Sequence, residues 1–148
     1  MEKLLGPDII KQLKDVFAKL DQPVRIVFFG GEDNCELCDE TRQLLHEVAD
    51  VSPEMITVAE HDIQADAGLA KKYGIDKTPM FIIGGDDNGE LVDYGIRFSG
   101  IPAGHEFATL VTTILDVSMR TPQLDTASLE FLVGLKEPVH MMVFVTPT

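Results

Sequence analysis

The chain has no tryptophan, only two cysteines, and 12 Lys plus Arg set against 25 Asp plus Glu, a formal net charge of −13. So large an acidic excess excludes an electrostatic grip on a nucleic-acid backbone or on an anionic membrane surface. No apolar run approaches the roughly 20 residues that span a bilayer. Pro7 and Asp8 stand where a signal peptide needs its apolar segment, so the sequence reads as soluble and cytoplasmic. Two cysteines are too few for the disulfide framework of a small secreted fold, and their three-residue spacing therefore carries more information than their number. What remains is ordinary: 148 residues, 45% hydrophobic and 25% charged, the composition of a globular chain rather than of a disordered, collagenous or coiled-coil one.

Ile9, Leu13, Val16, Phe17 and Leu20 recur at helical spacing until Pro23. Val24 to Phe29 is a nearly continuous run of β-formers, the pattern of a buried central strand, and it ends in Gly30-Gly31 and a polar turn, Glu32-Asp33-Asn34. Next comes Cys35-Glu36-Leu37-Cys38, after which Cys38, Thr41, Leu45 and Val48 share one helical face, so the cysteine pair is expected to open a helix. A second strand is expected over Ile56 to Asp62, a short helix over Asp66 to Tyr73 stopped by Gly74, and a third strand over Met80 to Ile83. Gly84 to Gly89 reads as a hairpin loop, Leu91 to Phe98 as the returning strand, and Phe107, Leu110, Val111, Ile114 and Leu115 as a long last helix. The early strands can run parallel through right-handed crossovers and the last pair antiparallel, an α/β order that is the thioredoxin order.

Past Arg120 the chain starts again. Thr121-Pro122-Gln123 reads as a linker, and Asp125 as the N-cap of a helix with Leu129, Leu132 and Val133. Leu135-Lys136-Glu137-Pro138-Val139-His140-Met141-Met142-Val143-Phe144 then aligns with Leu20-Asp21-Gln22-Pro23-Val24-Arg25-Ile26-Val27-Phe28-Phe29. The offset of 115 positions would carry Cys35 about two residues beyond Thr148. The expected organisation is a thioredoxin/glutaredoxin-like domain over 1–120, followed over 121–148 by a linker and the first helix and strand of a truncated second unit. The competing reading is that any helix, proline and strand look alike over ten residues.

A thiolate, not a thiol, attacks a disulfide, and a cysteine at a helix N-terminus has its anion stabilised by unpaired backbone N–H groups and the helix dipole. Cys35 fits that requirement as the attacking thiol. Cys38, one turn later, can resolve a mixed disulfide internally. The rival use is half of a metal site, but a closed zinc site usually takes four ligands, and His46 lies about 12 Å along the helix from Cys38 at 1.5 Å per residue. Thr78-Pro79 just before a strand is the second element. A cis proline there leaves the backbone of the preceding residue free to pair with an extended substrate, whereas a plain trans proline would only start the strand. Asp33, Glu36, Asp39 and Glu40 crowd the motif, so repulsion opposes the helix dipole with Arg42 as a partial offset, unless the rim is simply solvated and screened. His61 and His105 read as filler and as a helix-start residue, and Tyr73 and Tyr94 as packing residues.

These residues resemble a known family, the glutaredoxin-like protein disulfide oxidoreductases of archaea and thermophilic bacteria, built from two thioredoxin-fold units in one chain. The resemblance extends over essentially all 148 residues. It rests on Cys35-Glu36-Leu37-Cys38, on Lys72-Tyr73-Gly74-Ile75-Asp76 leading to Thr78-Pro79, on Tyr94-Gly95-Ile96-Arg97-Phe98, and most specifically on Gly100-Ile101-Pro102-Ala103-Gly104-His105-Glu106-Phe107. The terminal Val143-Phe144-Val145-Thr146-Pro147-Thr148 is similar to the stretch that in this family leads into the second CxxC. The resemblance implies an N-terminal unit that exchanges dithiol and disulfide with protein substrates. It also implies that Glu60, where the family often has an acidic residue, is a buried carboxylate accepting the proton of Cys38, the alternative being a Glu60 that faces solvent. The strand before the motif, Val27-Phe28-Phe29, offers no carboxylate of its own.

The expectation is therefore a protein-disulfide oxidoreductase with Cys35 attacking, Cys38 resolving, Glu60 handling the proton, and Thr78 and Pro79 as the substrate-docking edge. No cofactor is called for, since the electrons reside in the sulfur pair. Its partners would be proteins bearing thiols or disulfides and an upstream thiol reductase as electron donor. The apolar Val139 to Val145 would pack on the first domain, exchange between chains in a homodimer, or cause association. Two rivals stand beside this reading: the disulfide-relay domain of a peroxide-reducing flavoprotein system of the alkyl hydroperoxide reductase type, and a redox-inert scaffold. A stand-alone chain without a flavin or dinucleotide motif weighs against the first.

Overall fold

The computed structural model describes residues 2–31 and 33–146; Glu32 of the expected polar turn, Met1, and Pro147 and Thr148 of the terminal string lie outside the described residues. Pro7 at the first helical turn starts α1, Pro7–Phe17, which buries Leu13 and Phe17. Strand β1, Val24–Gly30, follows, then α2, Cys38–Ala49, and β2, Ile56–Asp62, which lies parallel to β1 as a βαβ crossover requires. Helix α3, Ala67–Tyr73, stops at Gly74, whose φ of 68° only glycine adopts readily. Strand β3, Met80–Asp87, runs antiparallel to β1, and β4, Glu90–Val92, and β5, Arg97–Ser99, both pair antiparallel with β3. Helix α4, His105–Met119, and α5, Thr126–Val133, complete the order.

Strand alternation divides the core in two. Val24, Ile26 and Phe28 of β1 with Phe81 and Ile83 of β3 face α1, α2 and α4, while Val27, Phe29 and Ile82 face Ala70, Ile75 and the α3 side. A strand buried on both faces has no room for polar alternation, which is why β1 reads as one apolar run. The buried face of α2 carries Cys38, Thr41, Leu45 and Val48, as its spacing indicates.

Three expectations need correction. First, Gly84-Gly85 is strand, not loop: β3 continues to Asp87, and the turn is Asn88-Gly89 alone, with φ of 54° and 91°. Gly84 is required by close approach, since a Cβ there would lie 2.4 Å from the Val92 carbonyl oxygen. Second, the returning strand is split into β4 and β5, because Asp93 turns the chain by accepting from Gly95 N–H at 2.8 Å and by pairing with Arg97. Third, no strand forms over Val139–Val145. The N-cap Asp125 does accept from Ser128 N–H at 2.7 Å, but α5 buries no residue, and residues 134–146 hold neither helix nor strand. An extended segment becomes a strand only when a neighbour takes up its N–H and C=O groups, and none of the described residues does so. Among the described residues a second tandem unit is not shown, and the fold that is shown is one thioredoxin-like α/β unit.

At the end of the sheet remote from the cysteines, Asp86 joins three strands. Its carboxylate accepts from Gly89 N–H at 2.6 Å and Thr57 Oγ1 at 2.8 Å, and it pairs with Arg25 at 3.3 Å. Burial pushes its pKa up, but these bonds outweigh that and hold it below the ordinary value. A depressed folded pKa contributes stability above the unfolded pKa of about 3.9, lost as pH falls through the folded value. Asp86→Asn is therefore expected to lower the urea midpoint at pH 7, and the gap from wild type should close toward pH 3. A gap constant with pH would count against the charge-assisted account.

Candidate functional site

The chain leaves β1 through Gly30 and Gly31 and turns at Asn34, whose φ is 56°. Cys35 is half-buried in the turn ahead of α2, and Cys38 is the first helical residue, 3% exposed. The pair therefore straddles the helix start, and Cys38, not Cys35, occupies its first turn. The two are joined by a disulfide, with Cα atoms 5.4 Å apart. Leu37 at the N-cap gives no side-chain cap; the start is closed instead by Cys38 N–H donating to Cys35 O at 3.3 Å and Thr41 N–H to Leu37 O at 2.9 Å. Cys35 is the more exposed cysteine of the two and so the one a partner meets first.

Two glycines bring this turn against its surroundings. A Cβ at Gly30 would sit 2.9 Å from the Phe28 ring and 3.5 Å from Cys38 Sγ, and one at Gly31 would sit 3.6 Å from Thr78 Oγ1. The segment between strand and disulfide thus passes beside Thr78. The Thr78–Pro79 peptide bond is cis; Thr78 is half-buried and Pro79 buried, and Pro79 O accepts from Gly100 N–H at 2.9 Å.

Glu60 takes the solvent-facing one of its two expected placements. It is opposite Phe28 in the β1–β2 register, on the α2 side of the sheet, but its side chain is 44% exposed, with Oε1 2.6 Å from His46 Nε2 and Oε2 3.0 Å from Arg42 Nε. The burial on which a proton-accepting role rests is absent, because β2 is an edge strand and these long α2 side chains meet Glu60 at the rim. Asp33, Glu36, Asp39 and Glu40 are all exposed, and Arg42 Nη1 donates to Asp39 Oδ1 at 2.8 Å. The residues that periodicity did not bring to the site are Phe28, Gly30 and His46. The spacing of Arg42 and His46, four and eight residues beyond Cys38, was the available signal for the helix partners.

The other candidates take structural places. His61 stacks on Phe29 with centroids 5.3 Å apart, and its Nδ1 lies 3.0 Å from Asp66. His105 begins α4. Tyr73 packs beside the second core, whereas Tyr94 is exposed under the Arg120 guanidinium. Among the described residues no group of three His, Cys, Asp or Glu side chains is placed to hold a metal ion, and no helix is long and apolar enough to cross a membrane.

No family model matches the chain. It is 32% identical over 145 residues to the F component of alkyl hydroperoxide reductase from Staphylococcus epidermidis and 31% identical to that from Staphylococcus aureus, covering 98% of this chain in each case. The chain spans a quarter of the length of these curated relatives, 25% of each. Among solved structures, the NTD_N/C domain of alkyl hydroperoxide reductase from Enterococcus faecalis superimposes with a TM-score of 0.77 at 28% identity, over 90% of this chain and 62% of that one. A protein disulfide oxidoreductase from Aeropyrum pernix gives a TM-score of 0.78 over 88% of this chain and 55% of that one, and at 24% identity this shows the fold. The likenesses are thus not confined to archaeal and thermophilic proteins.

Proposed function

We propose that Cys35 and Cys38 form a disulfide relay that passes electron pairs to protein disulfides as part of a peroxide-reducing flavoprotein system. The bonded pair at the start of α2, one cysteine half-buried and one buried, is the observation that carries the exchange chemistry. The likeness to the F component of alkyl hydroperoxide reductase over 98% of the chain favours the relay over a general-purpose exchanger, reversing the order in which the sequence ranks them. In the reaction, the reduced Cys35 thiolate attacks a partner disulfide, forming a mixed disulfide and releasing one partner thiolate, which takes up a proton. Cys38 then loses its proton and attacks Cys35 Sγ, which restores the Cys35–Cys38 bond and releases the second partner thiol. The electron pair returns from an upstream thiol reductase.

Thr78 and Pro79, beside the turn that carries Cys35, are assigned as the edge along which an extended partner segment docks. Glu60 enters the site as the partner of Arg42 and His46. Residues 1–120 are assigned as the exchange domain, and 121–148 as the linker, helix and apolar stretch of a second such unit, supported by the correspondence of Leu135–Phe144 with Leu20–Phe29. That stretch leaves Met141, Val143 and Phe144 each at least 79% exposed, and light scattering is expected to show association that deletion of residues 135–148 abolishes. A clean monomer before deletion would count against it.

The exchange reading is tested by following insulin reduction with dithiothreitol as donor. Cys35→Ser should reduce the catalysed rate to background, and equal rates for wild type and variant would end it. The relay reading is tested by peroxide turnover with a flavoprotein reductase as donor and a thiol peroxidase as acceptor. Turnover that does not depend on this chain, where insulin reduction does, would return the assignment to a general exchanger.

A further inference from the structure

Arg42 stands four residues beyond Cys38, so about 6 Å of helical rise separates them and their side chains leave the same side of α2. Its guanidinium carbon lies 5.7 Å from the centroid of the Phe28 ring, its Nε 3.0 Å from Glu60 Oε2, and its Nη1 2.8 Å from Asp39 Oδ1. The edge of that same ring converges with Cys38 Sγ on the space above Gly30. The guanidinium, at the rim, and the Cys38 sulfur, in the core, therefore both approach the Phe28 ring on the side of the sheet that α2 covers.

Resolution of a mixed disulfide needs Cys38 as a thiolate, and burial of a thiol disfavours its charged form. The charged and titratable groups around the sulfur are mostly of the wrong sign to help: Glu36 in the turn, Asp39 and Glu40 in the first turn of α2, and Glu60 on β2. Arg42 is the one Lys or Arg on α2, and His46 lies a turn further on. Two carboxylates fix the Arg42 guanidinium in place and also neutralise part of its field.

We propose that Arg42 is a positioning residue of the exchange reaction, its guanidinium over the Phe28 ring stabilising the Cys38 thiolate while Glu60, paired with it, offsets part of that field. In the step it assists, Cys38 gives its proton to water and attacks Cys35 Sγ. The sulfur–sulfur bond to the partner breaks, and the departing thiolate keeps the bonding electron pair and is protonated by water. The inference rests on the exchange reading of the pair, but its test measures a thiol and not turnover, so the two can fail separately.

The Cys35→Ser chain carries Cys38 as its only thiol, and the ultraviolet absorbance of the thiolate titrates it directly. Adding Arg42→Gln is expected to raise the Cys38 pKa by about one unit, Glu60→Gln to lower it by about half a unit, and Arg42→Lys to leave it within about 0.3 units. Opposite signs are the discriminating result. An ion pair with a merely structural role, cut from either end, would loosen α2 in the same way and shift both variants in one direction. Shifts of the same sign, or no shift in either variant, overturn the proposal. Thermal unfolding of the same proteins establishes that each is folded, and for an unfolded Arg42→Gln the substitution Arg42→Met is titrated in its place, a Cys38 pKa that is not raised being the overturning result.

Discussion

Cys38→Ser is expected to halt exchange midway, leaving Cys35 covalently bound to whatever polypeptide it has attacked. The attacking sulfur is untouched, so the first displacement proceeds. The second, which in wild type occurs between groups one turn apart, must now wait for an external thiol. Intramolecular placement is worth very high effective concentrations, and replacing it with millimolar reductant should lower turnover by at least about 100-fold. The adduct should be visible by mass spectrometry under non-reducing conditions as the chain plus one partner, linked through Cys35. Wild-type turnover without an adduct would show that resolution does not run through Cys38.

Phe81→Ala should cost the fold more stability than any of the substitutions above. Phe81 is fully buried, lies opposite Phe28 on β1 and Phe98 on β5, and stacks on Phe98 with centroids 5.0 Å apart. The three rings form a layer across three strands, covered by α2 and α4. Removing the middle ring forfeits its transfer free energy and leaves a cavity that a sheet held from both sides cannot collapse, at about 3–5 kcal/mol. Against a total stability of about 5–15 kcal/mol, that is a large part of the whole. Chemical denaturation should show a lower midpoint with an unchanged slope, and a loss below about 1 kcal/mol would mean that the layer contributes little. Because Phe28 and Cys38 belong to the same buried cluster and both border the space above Gly30, this layer ties the core to the site.

The sequence is most informative where one pattern has one physical cause. The apolar run Val24 to Phe29 can only be a strand covered on both faces, and a CxxC placed after such a strand and before an amphipathic stretch locates the site. Gly84-Gly85 misleads, because glycine marks both a turn and a place where backbones approach closely, and only the position of Val92 O decides between them. Val139 to Val145 misleads in the opposite sense, since strand propensity states what a segment could pair with and not whether a partner is there. The exposure of Glu60 depends on β2 lying at the sheet edge, a fact of topology that no local pattern contains. Arg42 was legible by its spacing from Cys38, but its attachment to Glu60 needed the parallel register.

Gly30 leaves open, at the end of a central strand, the space that the Phe28 ring and Cys38 Sγ both border. Cys38 is buried in the first turn of α2, whereas Cys35 is half-buried on the loop that follows β1, so when their bond opens the loop cysteine is the one with the freedom to move away. The redox cycle is accordingly lopsided: one sulfur travels to the visitor and back, while the other serves as a fixed anvil on which the bond is remade.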